Sequence, residues 1–500
     1  MNARNSSVGR KKYSIGRRLL TCLLAGLISG CAITQDYQRP QVDIPHNWRV
    51  DYQAAADLAN TAWWEHFQDT VLNELIKIAL NENKDLRIAA ARVEEFAGQL
   101  QAVQSGFYPQ INYGGSASRE SQSLERSTHL LTPSVDRTNS TYQTILNVSW
   151  ELDIWGRMRR ATEAACADLL STEEGHQAVI LTLVSAVASG YIDLLSLDKQ
   201  LKISQQTLAS REEYLRLFEN KIKGGQISSL ELAQVRSAYE QAAAYIPILE
   251  RRIALQENSL SVLLGRRPGT IKRDKTLDML VMPELPQGIP SDLLLRRPDI
   301  RQSEQNLIAA NARIGVVRTQ YFPTISLTGL FGFASDALSN LLQSSANLWQ
   351  VGVGAAGPIF SGGRIKGEIR QAKAKQQQLL NDYLSTIQTA FREVDDSLVT
   401  IQKLRELLEI EARHISALKD YAYFARSRYD VGYSNYIVVL DSERNLYAAE
   451  IRYVQTQNDI FAAIVSIYKA MGGGWVMKAA QQIVLPSQKS AGSTPSSKIK

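Results

Sequence analysis

The chain has 500 residues, 44% of them hydrophobic, which allows about three ordinary domains or one elongated one. Its formal net charge of +6 looks basic, yet Arg4, Arg10, Lys11, Lys12, Arg17 and Arg18 all fall within the first 30 residues, with no acid among them. The rest of the chain is formally neutral, and nucleic-acid binding loses its main support.

Residues 1–30 read as a signal peptide: a charged region ending at Arg17-Arg18, the apolar run LLTCLLAGLISG, then Cys31. The run is too short to span a bilayer as a helix and suits a secretory leader. Ile28-Ser29-Gly30-Cys31 resembles a bacterial lipobox, which implies a diacylglyceryl group on the Cys31 thiol and an acyl chain on its new amino terminus. Several acyl chains make a stable anchor where one binds only marginally. An ordinary cleavage site beside an incidental cysteine is the alternative. Ala32, not Asp, follows the cysteine, which favours the outer membrane over the inner one. With Cys31 acylated, Cys166 has no partner, so no disulfide within the chain is expected, and no cofactor is expected beyond the lipid. No other run reaches 18 apolar residues, so a chain that spans a membrane must do so with strands.

Beyond an N-terminal extended segment at 31–70, the chain is a tandem duplication, with repeats at 71–270 and 271–480 and a disordered Ser- and Lys-rich tail at 481–500. NKDLRIAAARVEEFAGQLQAVQSGFYPQI aligns without gaps on RPDIRQSEQNLIAANARIGVVRTQYFPTI, placing Asp85 on Asp299, Arg87 on Arg301 and Pro109 on Pro323. Farther along, Gly156-Arg157 falls on Gly363-Arg364, Tyr214 on Tyr421 and Gly225 on Gly432.

Each repeat reads as helices around one β-hairpin. Phe107-Tyr108-Pro109 and Tyr321-Phe322-Pro323 open the two hairpins, at about 107–155 and 321–361. INYGGSAS and TYQTILNVSW alternate in the first, TISLTGLFGF and WQVGVGAAG in the second, with polar loop-like segments at 119–140 and 335–347 between them. Long helical runs follow, one from Arg157 to Lys223 without proline, the other from Glu368 to Val431 without glycine or proline and so about 95 Å long. In the latter, Leu380, Leu384, Ile387, Phe391, Val394, Leu398 and Ile401 repeat in alternating steps of four and three, a coiled-coil seam. Each run ends in a glycine turn, at Gly224-Gly225 or Gly432-Tyr433, and a helix returns. Ser228 and Glu231 have the spacing of a capping box, whereas Asn435 or Ser434 is the candidate cap in the other half.

GVGAAGPIF contains G-x-G-x-x-G through Gly352, Gly354 and Gly357, but Pro358, Ile359 and Phe360 occupy the place where a nucleotide-binding helix should begin. The duplication sets Ile145, Asn147 and Trp150 at the matching positions, so these glycines belong to a strand in close contact with its neighbours. Phe107, Tyr108, Trp150, Trp155, Tyr321, Phe322, Trp349 and Phe360 gather near strand ends, most at one level, which suits an interfacial girdle. Core filling between strands and helices is the competing reading. Four strands cannot close a barrel, and open edges are not tolerated in lipid. Two copies would supply 8 strands with a filled interior and three would supply 12, so a pore calls for three.

Together AWWEHFQD, SWELDIWGRMRR, LLLRRPDIRQSE, AANARIGVVRTQYFPTISLTG, PIFSGGR, AFREVDDSL and RYDVGYSNYIVVLDSERNLY resemble the TolC/OprM family of outer-membrane efflux factors, closest to its lipoprotein branch. The resemblance covers Tyr37 to about Ala470. It implies an α+β membrane protein: a trimeric 12-stranded β-barrel, four strands per protomer, continuous with a long periplasmic α-helical barrel. It further implies a passive outer-membrane channel in a tripartite pump, partnered by a periplasmic adaptor and an inner-membrane pump. By the same resemblance Asp441 and Ile437 narrow the periplasmic gate, Tyr429, Glu231 and Arg444 are gate-linking candidates, and adaptor docking is expected at Gly224, Gly225, Gly432 and Tyr433. Val438 and Ser434 stand where TolC has a second acid and a linking arginine. Asp441 and Arg444 could pair at i,i+3, while Asp441 alone could also be a first-turn carboxylate at a helix start.

Two other classes compete. His46, His66, His129, His176 and His414 form no H-E-x-x-H or H-x-E pattern, and neither C-x-x-C nor G-x-S-x-G occurs, so an enzyme has little to rest on. A lipid-anchored periplasmic coiled-coil scaffold without a pore would account for the helices but not for the paired hairpins.

Overall fold

The computed structural model describes residues 36–42, 62–121, 138–283 and 293–472; Cys31 and the segment 481–500 lie outside them. After a 3-10 turn at Trp63–Phe67 come α1 (Thr70–Glu82), α2 (Lys84–Gln104), β1 (Gln110–Ser121), β2 (Thr138–Leu152), α3 (Arg157–Lys223) and α4 (Ser229–Leu263). The second half supplies α5 (Leu293–Arg296), α6 (Pro298–Thr319), β3 (Thr324–Ser335), β4 (Asn347–Ala356), α7 (Arg364–Asp430) and α8 (Tyr436–Ala470). The duplication persists in the lengths: α3 and α7 each have 67 residues, α4 and α8 each 35. Two compact units form, one from Glu95–Leu170 and Gln305–Asn381, the other from Ser171–Glu304 with the described parts of Gln41–Glu94 and Asp382–Lys500. Each unit draws on both sequence repeats.

The first unit carries a four-stranded antiparallel sheet in the order β1-β2-β3-β4. The two expected hairpins are thus joined edge to edge, with Tyr142 opposite Ser335 and Leu152 opposite Ile325. The strands run farther than the alternation suggested, since Arg119, Glu120 and Ser121 pair with Ser140, Asn139 and Thr138. Register sorts the faces: Tyr113, Leu146, Phe331 and Trp349 form one row, and Ile111, Val148, Gly329 and Val351 the next but one. The opposite face carries the row Asn112, Asn147, Leu330 and Gln350, then Ser149, Thr328 and Gly352. On the apolar face Tyr113 is 91%, Trp349 73% and Val351 77% exposed.

Small residues allow the strands to approach closely. A Cβ added to Gly332 would lie 2.2 Å from the Thr144 carbonyl oxygen on β2. In GVGAAGPIF, a Cβ on Gly352 would meet Thr328 Oγ1 at 3.2 Å, and one on Gly357 would meet Pro323 Cα at 2.8 Å. β4 stops at Ala356 and no helix begins before Arg364, so the strand–turn–helix of a phosphate cradle is absent. Where β2 passes into α3, Asp153 accepts from the backbone N–H groups of Met158 and Arg159, and Arg157 grips Glu151 through two hydrogen bonds of 2.9 and 2.6 Å.

The second unit has a core centred on three helices. Ile180, Val184, Val187 and Tyr191 of α3 meet Val394, Leu398 and Ile401 of α7, and Ile460, Ile464 and Tyr468 of α8. The predicted seam lies largely here: Ile387, Val394, Leu398 and Ile401 are buried, while Leu380, Leu384 and Phe391 are half-buried. α3 is long and apolar enough over part of its length to cross a membrane, but Ile180 to Leu195 form the core instead. The expected extended segment proves helical at its end, and its aromatic motif explains why. Trp63 stacks on Tyr468 at 5.1 Å, and Phe67 meets Phe461 edge-on at 5.8 Å. Asp69, fully buried, caps α1 through the N–H groups of Val71 and Leu72 and accepts the Tyr191 hydroxyl at 3.0 Å.

Both halves end their returning helices in the same joint. Gly265 closes α4 at φ 69°, and a Cβ there would lie 2.1 Å from the Glu82 carbonyl oxygen at the end of α1. Asn83 ties the joint, its amide donating to the Leu263 carbonyl at 2.8 Å while its side-chain oxygen accepts from Leu86 N at 2.9 Å. In the second half Gly472, at φ 80°, abuts Arg296 and Arg297, and Arg297 donates to the Ala470 carbonyl at 3.0 Å. Arg297 replaces Asn83 and brings a charge, which Asp299 and Glu393 neutralise at 2.7 and 2.8 Å.

Candidate functional site

The predicted gate residues lie in the second unit where α3 turns into α4 and α7 into α8. Both turns rely on left-handed glycine, Gly225 at φ 70° and Gly432 at φ 79°. Gln226 N donates to the Lys221 carbonyl and Tyr433 N to the Arg428 carbonyl, closing each helix with the hydrogen bond of a Schellman motif. Neither glycine is crowded, and Tyr433 is exposed.

The helices that return from the turns start differently. Ser228 caps α4 through a complete capping box, its hydroxyl accepting from Glu231 N at 3.2 Å while Ser228 N donates to the Glu231 carboxylate at 2.8 Å. Asn435 is the N-cap of α8, yet no side chain accepts from the first turn of that helix. Ser434 donates only to the Asn435 carbonyl, at 3.4 Å.

A cleft of about 530 Å³ opens between α3, α4 and α8, lined by Arg211, Ser237, Gln241, Ile437, Asp441 and Arg444. Ile437 is 51% exposed and one turn before Asp441. The expected i,i+3 pair is present: Arg444 donates to Asp441 at 2.7 Å, and Asn445 donates to its other oxygen at 3.1 Å. The acid therefore enters the cleft already half-satisfied. Arg211, buried, donates to the Ala238 carbonyl at 2.6 Å.

Burial raises the Tyr429 phenol above its ordinary value, and the charges of Glu231 and Asp430 add to the shift. No hydrogen bond joins Tyr429 and Glu231 within the chain; the Glu231 carboxylate accepts from Ser228 N and Oγ, both through Oε2. Tyr429 instead stacks on Phe218 at 6.0 Å and meets Tyr436 edge-on at 5.2 Å. These rings belong to a small core of Tyr214, Phe218, Val235, Ala425, Tyr436 and Val439 that sequence reasoning did not identify. Its signal was the spacing of Tyr214 and Phe218 on one helix face. Burial pushes Tyr214 up to about 12, against the pull of Arg426, whose guanidinium lies 4.6 Å from that ring. Burial also raises the Glu443 carboxyl, opposed by Arg211 and Arg426.

Of the predicted aromatic girdle, Trp150 Nε1 donates to the Phe107 carbonyl at 2.9 Å, and Trp155 stacks on Phe322 at 4.8 Å while donating to the Pro323 carbonyl. Tyr108, Tyr321 and Phe360 are exposed. Trp349 departs from this level: it sits in the row of Leu146, four positions along β2 from Trp150 and so about 14 Å away. The register set by the long β3–β4 connection decides this, and alternation alone does not encode it. Cys166 is exposed and free. No group of three or more metal-ligating side chains occurs among the described residues.

The sequence profile described as "Outer membrane efflux protein" matches residues 75–266 and 289–473. The probable efflux pump outer membrane protein SepC of Pseudomonas putida is 34% identical over 469 residues, 91% of this chain and 96% of that protein. The cation efflux system protein CusC of Escherichia coli is 34% identical over 469 residues, covering 92% of this chain and 99% of its own. A solved CusC structure superposes with a TM-score of 0.79 over 89% of this chain and 100% of that one, at 34% identity. The Campylobacter jejuni CmeC outer membrane channel gives 0.83 at 25% identity, over 90% of this chain and 98% of its own.

Proposed function

The chain belongs to the outer membrane efflux protein family, and on that premise we propose how this member conducts and closes. It is the outer-membrane channel component of an efflux pump, a transport protein and not an enzyme. The observation that carries this reading in the chain itself is the sheet: one face apolar and exposed across all four strands, the other largely polar or small apart from Ile145, Leu330 and Leu348, with β1 and β4 left as open edges. Lipid accepts the apolar face but not the edges. Three copies pool their strands into a 12-stranded barrel, whose polar face lines the pore. A pore-less scaffold would have no use for such a face.

Transport is passive, with the energy supplied by an inner-membrane pump reached through a periplasmic adaptor that docks on the turns at Gly224-Gly225 and Gly432-Tyr433. Cys31, acylated, adds a lipid anchor to the barrel, and the aromatics at the junction of strands and helices mark the inner edge of the membrane. Relatives named for toluene and for cations are equally similar to this chain, each 34% identical over 469 residues, so the pump selects the cargo. The entrance is narrowed by Ile437 and Asp441 from each copy. Three carboxylates around one axis favour cations, each tempered by its own Arg444.

Single-channel conductance in planar bilayers tests this. Wild-type protein is expected to conduct weakly and prefer cations, and Asp441→Ala to conduct more or discriminate less. An unchanged mutant would remove Asp441 from the gate, and silent folded trimers would remove the pore.

A further inference from the structure

We propose that the cleft between α3, α4 and α8 binds a small oxyanion, a phosphate or a carboxylate, with the Arg211 guanidinium as its inner ligand and Arg444 at its rim. The site is built from side chains of one chain and holds whether or not Asp441 narrows the gate.

Arg211 is the observation that calls for an occupant. It is 5% exposed, yet no carboxylate pairs with it among the described residues. Its Nη1 donates to the Ala238 carbonyl at 2.6 Å, while Nε is enclosed without an acceptor and Nη2 has no partner among the described residues. Nε and Nη2 form the edge of a guanidinium that grips an oxyanion through two parallel hydrogen bonds, as Arg157 grips Glu151 elsewhere in this chain. In Arg211 that edge is unused. A carbonyl satisfies one donor but leaves the buried charge uncompensated, and an enclosed donor without an acceptor is costly in itself. Glu443 does not fill the place: it makes no hydrogen bond or ion pair with Arg211 among the described residues, and Arg426 draws on the same carboxylate. Packing does not require the charge either, since the duplication sets Leu418, also buried, at the equivalent position of α7.

The rest of the cleft suits an anion. Ser237 and Gln241 line it from α4, one turn apart, and offer a hydroxyl and an amide that make no hydrogen bond to other described residues. Arg444 lines it from α8 and adds a second cation. Asp441 is the one acid in the lining, and each of its oxygens already accepts a hydrogen bond, from Arg444 and from Asn445. Two cations against one acid leave the cleft positive. The start of α8, which has no side-chain cap, adds its partial positive charge beside Ile437. An oxyanion seated here takes hydrogen bonds from three helices and competes with Asp441 for Arg444.

Isothermal titration calorimetry on full-length protein in a neutral detergent tests the site, with sodium phosphate and sodium acetate as probes and sodium chloride at equal ionic strength as the reference. At least one of the two oxyanions is expected to bind saturably, one per chain; phosphate alone assigns the site to phosphates, acetate alone to carboxylates. Arg211→Gln should weaken that binding about ten-fold or more, as expected for loss of a charged hydrogen-bond donor. Asp441→Asn, which removes the one acid in the lining, should strengthen it. Gln241→Glu keeps the measurement decisive if Arg211→Gln fails to fold: the residue is exposed on α4, and its new carboxylate would occupy the place of the anion. It should abolish binding while leaving the circular dichroism spectrum unchanged. Wild-type protein that binds neither probe, or binding that survives Gln241→Glu or a folded Arg211→Gln undiminished, would overturn the site.

Discussion

Gly265→Ala isolates what a backbone joint contributes to this molecule. Gly265 lies at φ 69°, where a side chain costs about 1 kcal/mol. The added Cβ would also lie 2.1 Å from the Glu82 carbonyl oxygen and 2.6 Å from its carbon. Backbone cannot rotate away as a flexible side chain can, so forced repacking adds about 1–3 kcal/mol. The sum, about 2–4 kcal/mol per copy, corresponds to a fall of roughly 2–4 °C in thermal midpoint for a chain of 500 residues, because the shift per kcal/mol shrinks as the unfolding entropy grows with length. Gly225→Ala is the control, because Gly225 has φ 70° but nothing within 4 Å of a Cβ. Only the dihedral cost applies there, a fall of roughly 1 °C. Circular dichroism at one scan rate, on detergent-solubilised protein, compares the two without requiring reversibility. Equal shifts would refute the claim that close packing against Glu82 holds the joint.

Ser228→Ala removes the capping box from α4 at a cost of about 1 kcal/mol. Hydrogen exchange should accelerate at the first amides of α4 and stay unchanged at the start of α8, which has no side-chain cap to lose. Glu443 has a carboxyl raised by burial, with Arg211 and Arg426 opposing from α3 and α7 and the phenols of Tyr214 and Tyr436 nearby. A raised folded pKa means that ionised Glu443 costs stability at neutral pH, and that stability is regained as pH falls through the folded value toward the unfolded one. Glu443→Gln should therefore raise the midpoint at pH 7 and flatten its acid-side pH dependence; a lowered midpoint at pH 7 would contradict this. Cys31→Ser should lose the acyl mass by mass spectrometry yet still sediment with outer membranes, because the strands span them; release into the soluble periplasmic fraction would contradict the spanning sheet.

Local rules made much of this fold legible. The bounds of α3 follow from Gly156 and Gly224, and those of the hairpins from Pro109 and Pro323, because glycine and proline act on their own residues. Ser228 and Glu231 were readable for the same reason, as was the Asp441–Arg444 pair at helical spacing. What escaped were partners distant in sequence. Alternation assigns a side chain to a face of the sheet but does not name the neighbouring strand, so the β2–β3 pairing and the level of Trp349 were not encoded in it. Trp63 stacks on a tyrosine at the other end of the chain, and that turned an expected extended segment into a docked turn. Glu231 shows a different limit, since two roles are open to one carboxylate and within the chain only the cap is made, through one of its oxygens.

The paired joints at Gly265 and Gly472 also bear on how such a chain can change over time. A residue inserted inside α3 or α7 would rotate every later side chain by about 100° and misalign the whole seam. At Gly265 the backbone leaves the helix at the point where another helix end abuts it, and the chain wanders through Ile271, Leu277 and Leu280 before α5 begins. Length added or lost along that excursion changes no helix's phase. The register-locked helices and this linking segment are thus separated by a single glycine, and length can change between the core contacts at Ile271, Leu277 and Leu280 without retuning the long helices.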